Sequence, residues 1–498
     1  MRKILNISLL LLLFSNQIIA QGFYNHVWLT GNNPFAGFPN GRIVFDSTSY
    51  VHTSEMRKMS FQGTEATICD EVGNFLMSSN GVWIANANND TMLNGNGLNP
   101  NGITSSWPFG LPMISNNVFI PFPGDTDKYI LFHHTGTSNG ISYTANELYY
   151  SIIDLSLDNG LGGVSIKNAI AVTDTMSFGI GCCKHANGRD WWIFMVKHNS
   201  SMVNVILVTP QGIVSVTQQN VNAPIAWFSS SQISVSNSGS KLSYVVYDQT
   251  TNNSSVVIAD FDRCTGLLSN SFSMQLTQNE YLWGLTFAPS DDFIYSCSSN
   301  YIFQININSL TIDTVATYDG FISPPTQTCC ATSFWNMYLA PNGKIYITSG
   351  SSVQHLHEMN FPDSSGLDCD VQQHAIDLGS YLHNRAVPNH PNYNLGPVVG
   401  SVCDTLSVGI EEQEYNFHFG ISPNPTNDGF IKIIYLLPQN QHGIFEVYNI
   451  TGQLVYKMNL PAWSTLQFIK LPDLSDGVYT CVIKSGYERV GKKLVLMK

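Results

Sequence analysis

Few residues of this chain combine the type and the spacing that chemistry needs. His355-x-His357 places two imidazoles on one face of a strand, with Glu358 next to them, and such a pair is the beginning of a metal site. No third ligand follows at a metal-binding spacing, so a solvated edge strand accounts for the pair and no metal is expected. Asp154 and Asp158 carry calcium-type oxygens, but they stand in DLSLDNG, where Asp serves turn geometry. Asp291-Asp292 belongs to another turn. There is no G-x-S-x-G elbow, no H-E-x-x-H helix and no phosphate-cradling glycine loop, so no catalytic residue is named and no cofactor is implied. Trp107, Trp191, Trp192, Trp227, Trp283 and Trp335 would suit stacking on sugar rings, and would equally suit a core.

The elements around these residues read as short strands. Charged residues are 11% of the 498, about half the usual fraction, while 12% are aromatic, with 39 Gly and 22 Pro. That composition excludes disorder and long helical bundles and fits strands joined by tight turns. Arg2 and Lys3, an apolar run from Ile4 to Phe14, and Ala20 before Gln21-Gly22 describe a secretory signal peptide over 1–20; the run is too short for a membrane span. Residues 21–419 carry 12 basic and 30 acidic side chains, a net of −18, whereas 420–498 carry 8 and 5, a net of +3. A body this acidic repels phosphate backbones, and nucleic acid is excluded as a partner.

Turn-plus-strand units recur with a period near fifty: CDEVGNFLM, PGDTDKYILF, HANGRDWWIF, SNSGSKLSYV, APSDDFIYS and APNGKIYIT. With Gly73, Asp127, Gly188, Gly239, Asp292 and Gly343 as equivalents, the gaps are 54, 61, 51, 53 and 51 residues. Two hairpins per unit of this size describe four-stranded blades of a β-propeller over 21–405. The stretch from Phe23 to Met59, with NGRIVFD, is expected to pair with chain near 380–398 and close a seventh blade, removing the sheet edge. In order and character, EATICDEVGNFL, KHANGRDWWIF, LAPNGKIYI and PNHPNYNLG resemble a family of secreted bacterial propellers, which has no single assigned activity.

After a linker, 406–419, containing Glu411, Glu412 and Glu414, residues 420–498 read as a small antiparallel β-sandwich. The ordered motifs Pro423-Asn424-Pro425-Thr426, Asn449-Ile450-Thr451-Gly452-Gln453-Leu454-Val455, Gly477-Val478-Tyr479 and Lys492-Lys493 resemble the type A C-terminal sorting domain of the type IX secretion system. In that family the position before the first Pro is usually aromatic; here it is Ser422. The resemblance implies export across the outer membrane by the secretion machinery, removal of the domain by a sortase-like peptidase, and either attachment to surface lipopolysaccharide or release.

Ten cysteines suit that compartment, nine of them in the body. Cys369 and Cys403 flank the closing segment and are expected to form a disulfide across the seam. The adjacent pairs Cys182-Cys183 and Cys329-Cys330 are expected to seek distant partners at least as readily as each other. His383, Arg385 and His390 stand near the seam and could face a central channel. Two function classes follow: a non-catalytic binding or adhesion module for a glycan or protein, or an extracellular hydrolase or lyase with carboxylates converging on one channel mouth. The absence of a catalytic motif favours the first.

Overall fold

The computed structural model describes residues 22–32, 39–138, 143–223, 232–324, 330–385, 387–404, 419–435, 437, 442–461, 465–485 and 488–497. The expected signal peptide, the linker glutamates, Trp227 and Cys329 lie outside them. The chain divides into two compact units, Met1–Thr405 and Leu406–Lys498. Among the described residues, no helix is long and apolar enough to cross a membrane.

The first unit is a succession of seven antiparallel meanders. The first has three strands, Val27–Thr30, Asn40–Phe45 and Tyr50–Glu55. Six four-stranded meanders follow, beginning at Ala66–Cys69, Asn117–Pro121, Gly181–Lys184, Ile233–Val235, Leu282–Phe287 and Phe334–Leu339. One parallel pair, Gly163 with Leu93, joins the second and third edge to edge. In each meander the last strand is the most open and the strands before it carry the core: Ala66–Cys69 is wholly buried, whereas Thr311–Thr317 is mostly exposed.

First strands of successive meanders pack side by side, and the Ile180 N–H donates to the Ser115 carbonyl where the third meets the fourth. That arrangement is a seven-bladed β-propeller. Trp28 and Phe45 of the first blade lie 5.8 and 5.4 Å from Tyr346 of the seventh, in one apolar cluster with Ile43, Leu356 and Ile376. The ring therefore closes by side-chain packing. Chain near 380–398 adds no strand to the first blade, contrary to expectation. It supplies isolated bonds, such as the Asn32 N–H to the Leu382 carbonyl, because it is committed elsewhere.

Residues 387–398 run across the ring. The Asn389 N–H donates to the Glu65 carbonyl and Asn389 Nδ2 to the Ile180 carbonyl at 2.8 Å. The Tyr393 hydroxyl reaches Phe119, Asn392 reaches Asn237, and the Val398 N–H reaches Ala186. One segment thus bonds the second, third, fourth and fifth blades.

The six repeat turns each join the first and second strands of a blade. At five of them a residue with positive φ donates its N–H three residues back: Gly73, Gly188, Gly239, Asp291 and Gly343. This left-handed position favours Gly and tolerates Asp. In the third blade Gly124, with φ 74°, takes it, and in the sixth Asp291 takes it rather than Asp292.

The second unit has a three-stranded sheet (Phe419–Ser422, Phe430–Tyr435, Leu466–Lys470) and a four-stranded sheet (Leu454–Leu460, Gly443–Tyr448, Gly477–Ser485, Glu488–Leu496). They share one core, including Ile431, Ile433, Phe445, Val447, Ile469, Ile483 and Leu494. Pro423 and Pro425 flank Asn424, whose Nδ2 donates to the Lys493 carbonyl and whose Oδ1 accepts from the Val495 N–H. The Thr426 N–H donates to Val495, and the Met497 N–H donates back to Thr426. Gly452, with φ 78°, completes a turn capped by Asn449, Tyr479 is buried beside Gly477 and Val478, and Lys492 and Lys493 are exposed on the last strand.

Candidate functional site

The two ends of the propeller differ in character. At the end bearing the repeat turns, a cavity of about 310 Å³ lies between first strands and the crossing segment. Gln232, Ser234, Ser236, Asn237, Asn389 and Asn392 give it a polar wall, and among the described residues no Asp, Glu, Lys or Arg lines it. His390 borders it, with Nε2 3.3 Å from the Thr67 hydroxyl and Nδ1 3.4 Å from Tyr393. Enclosure lowers the His390 pKa to about 3, so this wall is neutral.

At the opposite end, where first strands begin, aromatic side chains from three blades form a row. Tyr247 ends the second strand of the fifth blade, and its ring lies 4.4 Å from that of Tyr281. Tyr281 is 41% exposed and 5.6 Å from Trp283, which opens the sixth blade. Trp283 is stacked on Trp335 of the seventh blade, 3.9 Å between centroids and 14° between planes. The Trp283 Nε1 donates to the Ser299 hydroxyl, which fixes the ring.

Arg385 completes the row, its Cζ 5.0 Å from the Trp335 centroid. Its backbone N–H donates to Ser349, its carbonyl accepts from the Thr348 hydroxyl, and its Nε donates to the Gly350 carbonyl at 3.2 Å. These bonds to the seventh blade hold it at φ 38°, a left-handed conformation that costs a side-chain-bearing residue about 1 kcal/mol. Burial alone lowers its pKa, with no acidic neighbour acting against it.

The three seam residues therefore do not converge. Arg385 joins the aromatic row, His390 borders the cavity at the other end, and His383 is buried beside Val353 with its pKa lowered to about 3 by burial. The sequence singles out Trp283, Trp335 and Arg385 separately; that they meet with Tyr247 and Tyr281 in one row is not legible there, because the members come from separate blades.

The His355 and His357 pair also differs from expectation. Their strand, His355–Met359, is the third of four and not an edge. His357 is fully buried, its Nε2–H donating to the Thr332 carbonyl and its Nδ1 accepting from the His374 N–H, and burial lowers its pKa to about 4. His355 bonds the Ser323 hydroxyl at 2.6 Å. Glu358 accepts from Lys344 and Tyr346. Among the described residues, no three His, Cys, Asp or Glu gather as a metal site. Asp154 caps Ser156, and Asp291 accepts from the backbone of Asn237 and Ser238 in the neighbouring blade.

The expected Cys369–Cys403 disulfide is not formed. Cys403 is bonded to Cys264, with Cα atoms 5.7 Å apart, while Cys369 is a buried thiol in the core of the sixth and seventh blades. The reason is the crossing segment: between 387 and 398 the chain leaves the seventh blade and arrives beside the fourth and fifth. Cys182 and Cys183 are likewise buried thiols rather than disulfide partners; burial raises Cys183 to about 12.

Residues 420–497 match the family described as the secretion system C-terminal sorting domain. No curated protein matches the chain. Among solved structures, the chain is similar to hydrazine synthase from Kuenenia stuttgartiensis, at 13% identity over 66% of this chain and 85% of that one, TM-score 0.36. It is also similar to a functionally unknown protein from Desulfotomaculum acetoxidans, at 11% identity over 73% and 99%, TM-score 0.38. A third similar structure is a protein of unknown function from Bacteroides thetaiotaomicron, at 10% identity over 72% and 84%, TM-score 0.30. The sorting domain is that of the type IX system, and it directs the chain across the outer membrane, to the cell surface or the extracellular space.

Proposed function

We propose that the exported propeller is a non-catalytic glycan-binding module, and that the row Tyr247–Tyr281–Trp283–Trp335 is its contact surface. The observation that supports this reading is the row itself: four aromatic rings from three blades, one of them 41% exposed, ending on a cation. Ring faces and edges offer apolar contact to the C–H side of a sugar, and rigid aromatics give that contact at low entropic cost. The sortase-like peptidase and lipopolysaccharide attachment implied by the sorting domain would display the module on the surface; release would leave it free in the medium.

A polymer hydrolase would need two carboxylates at one mouth. The cavity wall has none, and Glu280, beside the row, accepts from the Asn300 amide. The test is affinity electrophoresis of the secreted protein through gels containing neutral or acidic polysaccharides. Retardation by at least one polymer, reduced about tenfold in affinity by Tyr281→Ala, is expected. Free migration in all of them, or release of reducing ends from any of them, overturns the reading.

A further inference from the structure

Five arginines belong to the propeller, and four are satisfied within it. Arg42 and Arg57 pair with Glu55, and Arg189 pairs with Asp190. Arg263 donates to the carbonyls of Lys184, His185 and Gly396. Arg385 differs: like Arg263 it has no carboxylate partner among the described residues, but of its side chain only Nε is hydrogen-bonded, to Gly350. Its two terminal nitrogens make no bond among the described residues, yet the guanidinium is half-buried against Trp335.

A guanidinium has five N–H donors in a planar fork that matches the two oxygens of a carboxylate or sulfate, and partial burial strengthens such a pair by excluding competing water. Charge-assisted bonds of this kind are the strong ones in a polar interface. The position adds to the case, because this cation terminates the aromatic row. In residues 21–405, with 12 basic and 27 acidic side chains and a net charge of −15, Arg385 is the arginine with neither a carboxylate partner nor a hydrogen bond to its terminal nitrogens among the described residues.

Resting on the glycan-binding reading, we propose that Arg385 reads an anionic substituent, a carboxylate or a sulfate ester, on the bound polysaccharide, so that the row selects acidic polymers over their neutral counterparts. The ring contacts supply affinity and the guanidinium supplies the choice.

The test compares the secreted protein on matched polymers: polygalacturonate against its methyl ester, and a sulfated galactan against its desulfated form. The wild type is expected to bind one acidic member about tenfold or more tightly than its neutral partner, and the pair that responds identifies carboxylate or sulfate. Arg385→Gln, shown folded by a cooperative melting transition within a few degrees of the wild type, should erase that preference while keeping the neutral-polymer binding that Tyr281→Ala weakens; Arg385→Lys should retain part of the preference. Equal binding of acidic and neutral members, or a preference that survives in folded Arg385→Gln, overturns the assignment of Arg385 and leaves the aromatic platform standing. No binding to any of the four overturns both. Should Arg385→Gln fail to fold, the wild-type comparison decides.

Discussion

Arg385 lies over Trp335, with its Cζ 5.0 Å from the ring centroid, and among the described residues no acid pairs with it. A half-buried cation–π contact contributes about 1 kcal/mol. Arg385→Ala should therefore lower the stability of the propeller by no more than about 1–2 kcal/mol, the upper part reflecting lost packing of the side-chain stem. Chemical denaturation with fluorescence detection checks this. A loss above 4 kcal/mol would make Arg385 a structural keystone and weaken its assignment to a ligand.

The Cys264–Cys403 bond closes a loop of 139 residues. Replacing both residues by Ser should cost about 2–4 kcal/mol. Non-reducing peptide mapping should recover Cys264 and Cys403 in one linked species, while the Cys369 and Cys183 peptides are alkylated only after unfolding, because both thiols are buried.

Glu65 is enclosed completely, and neither carboxyl oxygen has a hydrogen-bond partner. Burial raises its pKa well above the usual carboxylate range, against the pull of Arg57. The folded state then holds a proton that the unfolded chain releases near pH 4.3. Stability attributable to Glu65 is complete below that pH and is lost as pH rises toward the folded pKa. Glu65→Gln should remove this slope, so the variant should gain on the wild type between pH 5 and pH 8 in thermal melts. An unchanged difference across that range would show that Glu65 is ionised in the fold.

In the sorting domain the sign is opposite. Glu446 accepts from Lys484 at 2.8 Å and from Tyr448, and these bonds lower its pKa to about 2. Its contribution is full above the unfolded value near 4.3 and is lost as pH falls through about 2. Glu446→Gln should lower the melting transition of the C-terminal unit at pH 7 and leave it nearly unchanged at pH 2. Because Lys484 and Lys457 are partly exposed, the effect at pH 7 should be at most about 1 kcal/mol.

Deleting 420–498 should leave the propeller in the periplasm, read by fractionation. Asn424→Ala removes two bonds to the last strand and should cost the C-terminal unit about 1–2 kcal/mol. Undiminished export of the deletion variant would contradict the matched sorting domain.

The seven blades were legible because each is local: a Gly or Asp turn between two β-forming runs carries its own signature, even where the equivalent position was off by one or three residues, at Asp292 and Asp127. The sorting domain was legible for the same reason, its motifs lying in order within eighty residues. What was not legible depended on closure. Tyr247, Tyr281, Trp283 and Trp335 meet only because consecutive blades pack side by side, and Cys264 meets Cys403 only because the chain crosses the ring first. Periodicity describes blades and says nothing of what their ends bring together.

The crossing segment gives this ring an order of assembly. Asn389, Asn392, Tyr393 and Val398 bond four blades that lie far upstream in the sequence. Contacts of such long range are formed late, since the intervening chain must first be organised. The propeller is thus a lock whose bolt is the last piece to arrive, and folding should show a slow final phase that Asn389→Ala or Tyr393→Phe retards or abolishes while the blades themselves form unhindered.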